Sequence, residues 1–243
     1  HDAHQKDDVF MIQLRHVRLN LGSPGDTSSV RFQLPKFEVE AGEAVALTGP
    51  SGCGKSTLVN LIAGLRRPDE GEVTVAGVDL TTLSAAQLDR HRGAHCGMVF
   101  QSFHLLAPFT ALENVAIGLR LGARNKSACR ERAQEVLCRV GLEHRLHARP
   151  GQLSVGEKQR VAIARAIAGE ASILLADEPT GSLDPRTGRD IFSLLRKVAA
   201  EDGRALVLVT HDLGLASEMP RSFDCSELMR GGLDSERKED AAL

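Results

Sequence analysis

The stretch GPSGCGKST, residues 49–57, stands between the apolar runs AVALT (44–48) and LVNLIAGL (58–65). Read as strand, loop and helix, it has the form of a phosphate-binding loop. Gly49, Gly52 and Gly54 let backbone amides wrap around phosphate oxygens, and the helix that follows presents its positive N-terminus. In a loop made of Gly49, Pro50, Ser51, Gly52, Cys53 and Gly54, the next residue, Lys55, is expected along the β- and γ-phosphates. Ser56 would place its hydroxyl on Mg2+, and Thr57 would donate to an α-phosphate oxygen. A glycine turn that only caps a helix gives no reason for a lysine and two hydroxyls at these spacings. The loop alone indicates a nucleoside triphosphate and leaves kinases, GTPases, helicases and transport ATPases open.

A second constellation is SILLADEPTGSLD, residues 172–184. Four apolar residues ending in Asp177 read as a buried strand whose carboxylate emerges at its C-terminal edge. Open α/β sheets bind ligands at that edge, and Mg2+ needs an anionic partner there. Glu178 would then sit beside the γ-phosphate, where a carboxylate can orient and deprotonate the attacking water.

Outward from these motifs the chain reads as one α/β unit. VFMIQLRHVRLNL (9–21) and VRFQLPKFEVE (30–40) read as an antiparallel hairpin joined through the turn-rich GSPGDTSS (22–29). EAVALT is a short buried strand, Lys55–Leu65 a helix, EVTVAGV (72–78) a strand, and LSAAQLDRHRG (83–93) a polar helix leading into the strand CGMVF (96–100). From Ser102 to about Ala168, ALENVAIGLRLG and SACRERAQEVLCRVGL space their apolar residues as helices do, which implies a helical insert. SILLAD and ALVLVT (205–210) resume the buried-strand pattern around the helix PRTGRDIFSLLRKVAAE (185–201). The expected fold is a mostly parallel sheet with flanking helices, an antiparallel β subdomain and the inserted helical subdomain. A single domain would span residues 9–230, with polar termini at 1–8 and 231–243, the closing stretch RGGLDSERKEDAAL fraying.

With 243 residues, of which 42% are hydrophobic and 26% charged, the chain can bury one substantial core. The net charge of -2 mixes 30 basic with 32 acidic residues, so no cationic face for nucleic acid or anionic lipid is evident. Five cysteines without a CxxC pair argue against a disulfide framework or a zinc knuckle and fit a reducing cytosol. No apolar run approaches the roughly 18 residues of a membrane span, and HDAHQKDD lacks the order of a signal peptide.

Phosphate loop, Gln101 after a strand, LSVGE (153–157), ILLADE (173–178), SLD (182–184) and His211 after LVLVT follow one another in order. In this the chain, from about Val9 to Arg230, resembles the ABC-type ATPases. The resemblance implies two nucleotide domains closing head to tail, each ATP held between one copy's phosphate loop and the other's signature, LSVGE. Ser154 and Gly156 would offer a hydroxyl, an amide and a helix dipole to the γ-phosphate of the opposite site. Gln101 would touch Mg2+ and the attacking water, His211 would hold the γ-phosphate, and Asp184 would communicate across the dimer. A homodimer formed on ATP binding would power separate integral membrane permease subunits, placing the chain in the cytoplasm, peripheral on the inner face of the membrane.

Two positions depart from the family pattern. The family's signature is usually LSGGQ, and Val155 and Glu157 here replace a glycine and the glutamine. The aromatic platform for adenine is replaced by Leu21, unless Phe10 or Phe32 reaches the base from a neighbouring strand. QSFHLLAPFTALENVAIGL and ADEPTGSLD are most similar to bacterial exporter ATPases of the lipoprotein-release, macrolide-export and cell-division group. The chain ends too soon after His211 for the C-terminal regulatory domain that importer ATPases often add. The alternatives are an ABC ATPase in a non-transport assembly, such as a cell-division regulator, and a P-loop GTPase or kinase, against which LSVGEKQR and His211 speak.

Overall fold

A computed structural model describes residues 10–21, 31–120 and 125–230. The expected turn at 22–29 and the polar termini lie outside the described residues. β1 (Phe10–Asn20) and β2 (Arg31–Glu40) pair antiparallel, with Leu14 opposite Phe37 and Val17 opposite Leu34. The alternation that buries Ile12 and Leu14 changes phase to bury Val17 and Leu19. The change falls at His16, whose φ is 50°, and there the register of β1 with β4 (Glu70–Val75) shifts. A bulge therefore keeps both halves of the strand facing one core. β5 (Val78–Asp79) and β10 (Met229–Arg230) complete this sheet in the order β10-β2-β1-β4-β5.

The second sheet runs β6-β7-β8-β3-β9 and every pair in it is parallel. Its strands are β3 (Ala44–Thr48), β6 (Cys96–Phe100), β7 (Ile173–Asp177), β8 (Ala205–Val209) and β9 (Arg221–Asp224). Buried on both faces, β7 and β8 have the unbroken apolar runs that a covered parallel sheet demands. Alternate residues feed two cores. Leu174, Ala176, Leu206 and Leu208 face one built on α3 (Ala111–Arg120), α4 (Lys126–Arg139), α5 (Val155–Ile167) and α6 (Pro185–Glu201). Ile173, Leu175, Val207 and Val209 face another, shared with α1 (Lys55–Ile62) and the antiparallel sheet.

α6 has the bounds read from the sequence: Asp184 accepts from the Arg186 and Thr187 amides at its N-terminus, Pro185 follows, and Ile191, Phe192, Leu195 and Val198 are buried. Two helices differ. α1 stops at Ile62, not Leu65, because the chain turns away at Ala63–Gly64 and leaves Leu65 exposed. α2 (Ala85–His95) starts after Ser84, whose capping box with Gln87 fixes its first turn. β9, β10 and the short α7 (Leu213–Ser217) were not expected from the sequence.

α5 meets the parallel sheet at very short range. A Cβ on Gly97 of β6 would stand 2.3 Å from the carbonyl oxygen of Ala166 on α5. Gly97→Ala must push α5 off the sheet and is expected to lower unfolding stability by about 1–3 kcal/mol, the usual cost of overpacking. Urea unfolding measures this, and an unchanged midpoint would contradict such close packing.

Candidate active site

The loop after β3 is tied down from β9. Thr48 donates its hydroxyl to the Phe223 carbonyl at 3.4 Å, and the Cys225 amide donates to the Thr48 carbonyl at 2.9 Å. At the start of α1, Gly54 has φ 103°, and a side chain there would meet the Phe32 ring at 3.0 Å and Met229 Sδ at 3.4 Å. Only a glycine lets the backbone turn over this apolar floor. The first turn of α1 holds no acidic residue, so its free amides and positive dipole end are left for an external anion. Lys55 is only 6% exposed, and its ammonium donates to the carbonyls of Gly49 at 2.8 Å and Pro50 at 2.9 Å. Cys53 is buried beneath the loop, with Sγ 3.8 Å from the same ammonium.

The carboxylates arrive on β7, which β8 separates from β3 in the sheet. Asp177 ends β7, and burial pushes its pKa up, opposed by a hydrogen bond from Ser56 and the charges of Lys55 and His211. Glu178 follows with φ 49°, its amide donating to the Val209 carbonyl at 3.1 Å, so β8 fixes a backbone conformation unusual for a side-chain-bearing residue. Its Oε1 lies 3.0 Å from His211 Nε2, a close contact not aligned as a hydrogen bond. Burial raises the Glu178 pKa, Asp177 acts the same way, and His211 and Lys55 oppose it. A carboxylate so raised binds a proton more readily than a solvated one.

Ser51, Gly52, Gly54, Lys55, Ser56 and Thr57 meet Asp177, Glu178 and His211 around a cleft of about 220 Å3. Val209 and Met229 also line it and were missed in the sequence. Met229 belongs to a two-residue strand that no periodicity announces. Phe32, the floor under Gly54, was expected at most as a base-stacking ring. It is fully buried and cannot stack on a base, while Phe10 sits at the other end of β1 from Leu21. Leu21 itself is half-buried against the core.

Of the phosphate loop, Gly49, Pro50 and Cys53 do not line this cleft, and Gln101, Ser154, Gly156 and Asp184 stand outside it. Gln101 is exposed and rests on Gly181, where a Cβ would come within 2.8 Å of its Nε2. In the turn after it, Phe103 and His104 have φ of 58° and 47°. Left-handed backbone costs an L-residue roughly 1–2 kcal/mol each. Ser154 is the N-cap of α5: its Oγ accepts from the Glu157 amide at 3.2 Å, and Glu157 Oε2 accepts from the Ser154 amide at 2.8 Å. Glu157 Oε1 accepts from Arg145 Nε at 2.8 Å, so the departure from glutamine adds an ion pair to the cap. These bonds, that of the Ser154 amide foremost, hold the Glu157 carboxyl below its usual range. Gly156 presses on α6, leaving no room for a Cβ, which would lie 2.7 Å from Thr187 Cγ2. Asp184 is exposed, its carboxylate engaged in capping α6.

A family model described as ABC transporter matches residues 32–181. The chain belongs to this family. It is 48% identical over 186 residues to the lipoprotein-releasing system ATP-binding protein LolD of Chromohalobacter salexigens, covering 76% of this chain and 78% of the relative. It is 44% identical over 211 residues, 87% of this chain, to the macrolide export ATP-binding/permease protein MacB of Pasteurella multocida, of which it spans 32%. Among solved structures, the dimeric post-hydrolysis state of the ATP-binding cassette MJ0796 bound to ADP and Pi superposes with a TM-score of 0.77 at 38% identity, over 91% of this chain and 97% of that one. The cbiO1 structure from Clostridium perfringens shares the fold, with a TM-score of 0.79 at 24% identity over 96% and 92%. The chain is an ABC ATPase that binds and hydrolyses ATP. Among the described residues no helix is long and apolar enough to cross a membrane.

The raised Asp177 pKa has a stability consequence of definite sign. A carboxyl whose folded pKa exceeds its unfolded value favours folding when protonated, and this contribution is lost as pH rises through the folded pKa. Without nucleotide, Asp177→Asn is therefore expected to melt above wild type at pH 8, the difference closing as pH falls towards the ordinary value of 3.8. Melting curves across pH test this, and a lower midpoint for the variant at pH 8 would contradict it.

Proposed function

We propose that this ABC ATPase works as a homodimer around two MgATP and drives a separate membrane permease of the lipoprotein-release or export type. One observation carries the reading. The cleft gathers the phosphate loop, Asp177, Glu178 and His211 of one chain, while the capped N-terminus of α5, with Ser154 and exposed Val155, lies outside it. A second copy turned head to tail would bring that helix end to the open side of the cleft. The dimeric MJ0796 cassettes support this arrangement.

In this reading the loop from Gly49 to Gly54 wraps the phosphates with its amides. Lys55 leaves the Gly49 and Pro50 carbonyls for the β- and γ-phosphates, and Thr57 donates to the α-phosphate. Ser56 and Asp177 fit Mg2+. Both supply hard oxygen, Ser56 already bonds to Asp177, and a cation beside this half-buried carboxylate would offset the desolvation that raises its pKa. Gln101 reaches the same ion and the attacking water from the Gly181 turn. When bound, Mg2+ neutralises charge on the β- and γ-phosphate oxygens. Glu178 orients the attacking water and accepts its proton, and His211, in contact with Glu178, holds the γ-phosphate. The Ser154 hydroxyl, the Gly156 amide and the helix dipole of the second copy bind the γ-phosphate, and Asp184 sits at the seam between copies. Leu21 leaves the base without an aromatic platform, so phosphate contacts dominate binding.

The domain would be one unit over residues 9–230 with a helical subdomain near 102–168. Between β6, α2, α3 and α5 lies a mostly apolar groove of about 650 Å3 that includes Phe100, His104 and Leu119. It suits short helices of a permease, which would hold the chain at the inner face of the membrane. The relatives named for lipoprotein release and macrolide export support that partner class.

Glu178→Gln keeps the shape of the side chain and removes its basicity. It is expected to bind ATP normally, hydrolyse it at least about a hundredfold more slowly, and accumulate as an ATP-bound dimer. Turnover assays with light scattering check this. Hydrolysis within about twofold of wild type would overturn the role given to Glu178.

A further inference from the structure

The turn after Gln101 is built of two left-handed residues and is held from a distance. Inside it, the Phe103 amide donates to the Phe100 carbonyl at 3.3 Å and the His104 amide to the Ser102 carbonyl at 2.6 Å. Ser102 Oγ meets His104 Nε2 at 2.8 Å, and the His104 ring lies 4.8 Å from that of Phe100. These contacts make residues 100–104 a compact unit. Arg165, near the C-terminal end of α5, ties the unit to a different element. Its Nη2 donates to the Phe103 carbonyl at 2.7 Å and its Nη1 to the His104 carbonyl at 2.5 Å. The two carbonyls belong to the two left-handed residues, so they point at one fork only while the turn keeps this conformation.

Arg165 lies eleven positions along the chain from Ser154, roughly 16 Å at the rise of an α-helix. The helix between them packs on α3, α4, α6 and β6, with Val161, Ile163, Ala164 and Ile167 buried, and has the rigidity to carry a displacement from one end to the other. Arg165 is half-buried and lines none of the nucleotide cleft.

We propose that Arg165 is a positioning residue for hydrolysis: by gripping the carbonyls of Phe103 and His104 it sets the place of Gln101 according to the position of α5. The signature and the Gln101 turn then move as one piece, and Gln101 is in place only when Ser154 is. This rests on the role given above to Gln101.

The test is a double-mutant cycle on the purified chain, with kcat and KM for MgATP measured for Arg165→Ala, Gln101→Ala and the double variant. Nucleotide affinity and the thermal midpoint are followed alongside. Arg165→Ala is expected to lower kcat about tenfold, the effect of a misplaced group, with nucleotide affinity within about twofold of wild type. The double variant should be no slower than the slower single variant, because both substitutions remove one function. Arg165→Lys, a single point donor, should recover only part of the loss. If Arg165→Ala is unfolded at the assay temperature, Arg165→Lys takes its place in the cycle.

Multiplying losses in the double variant, or full activity of Arg165→Lys, would overturn the inference. A slowed Gln101→Ala beside an unaffected Arg165→Ala overturns it alone. Wild-type hydrolysis by Gln101→Ala overturns the role of Gln101 as well.

Discussion

The Lys55 ammonium is buried at the positive end of α1, two like charges set together, and its hydrogen bonds go to the loop carbonyls at 2.8 and 2.9 Å and to Cys53 Sγ at 3.8 Å. That concentration of positive potential requires anions nearby, and much of the surrounding architecture brings them there. The parallel order of β7, β8 and β3 aligns the C-terminal ends of three strands on one edge. Asp177 and Glu178 therefore face the loop that follows β3, and the turn after β8 delivers His211. β9 bonds to the last residue of β3, and Phe32 with Met229 forms the floor on which the loop turns. The carboxylates are themselves partly desolvated, which raises their pKa and makes each half of the site depend on the other. An anionic triphosphate completes a site in which Lys55 otherwise donates to two loop carbonyls and the Cys53 sulfur.

The parts of this arrangement readable in the sequence are those that local chemistry dictates. Three glycines before a lysine, and a four-residue apolar run ending in two carboxylates, have few other uses, and both stand where strand edge and loop predict. α6 was legible to the residue because an Asp-Pro start and a clean apolar stripe act within the helix itself. Met229 and Phe32 were not legible as parts of the site. Met229 enters through a two-residue strand, and Phe32 looks like any core residue of β2. The phase change at His16 is visible in the pattern, but its bulge depends on pairing with β4. The turn after Gln101 carries no glycine to announce its left-handed backbone, and the Arg165 side chain that bonds to it comes 61 and 62 residues later in the chain than the carbonyls it meets.

The departures in the signature have a physical reading that the sequence could not supply. A glutamine at position 157 could complete the capping box, yet only a carboxylate also draws in Arg145 from the preceding turn. The exchange makes the start of α5 more firmly fixed in its own chain, with both Glu157 oxygens committed there. Val155, 43% exposed, leaves an apolar side chain on the surface of the helix end. At Gly156 a Cβ would stand 2.7 Å from Thr187 Cγ2 of α6, so a side chain there would have to displace that methyl group.

In the proposed dimer each active site is shared, the phosphate loop coming from one chain and Ser154 from another. Mixing two inactive variants addresses this directly. Lys55→Ala removes the loop's charge, and Ser154→Asn keeps the α5 cap while altering the face offered to phosphate. A mixed dimer would contain one site with an intact loop and an intact signature. The mixture is expected to hydrolyse ATP well above the sum of the separate variants, and a mixture no more active than its components would rule out shared sites.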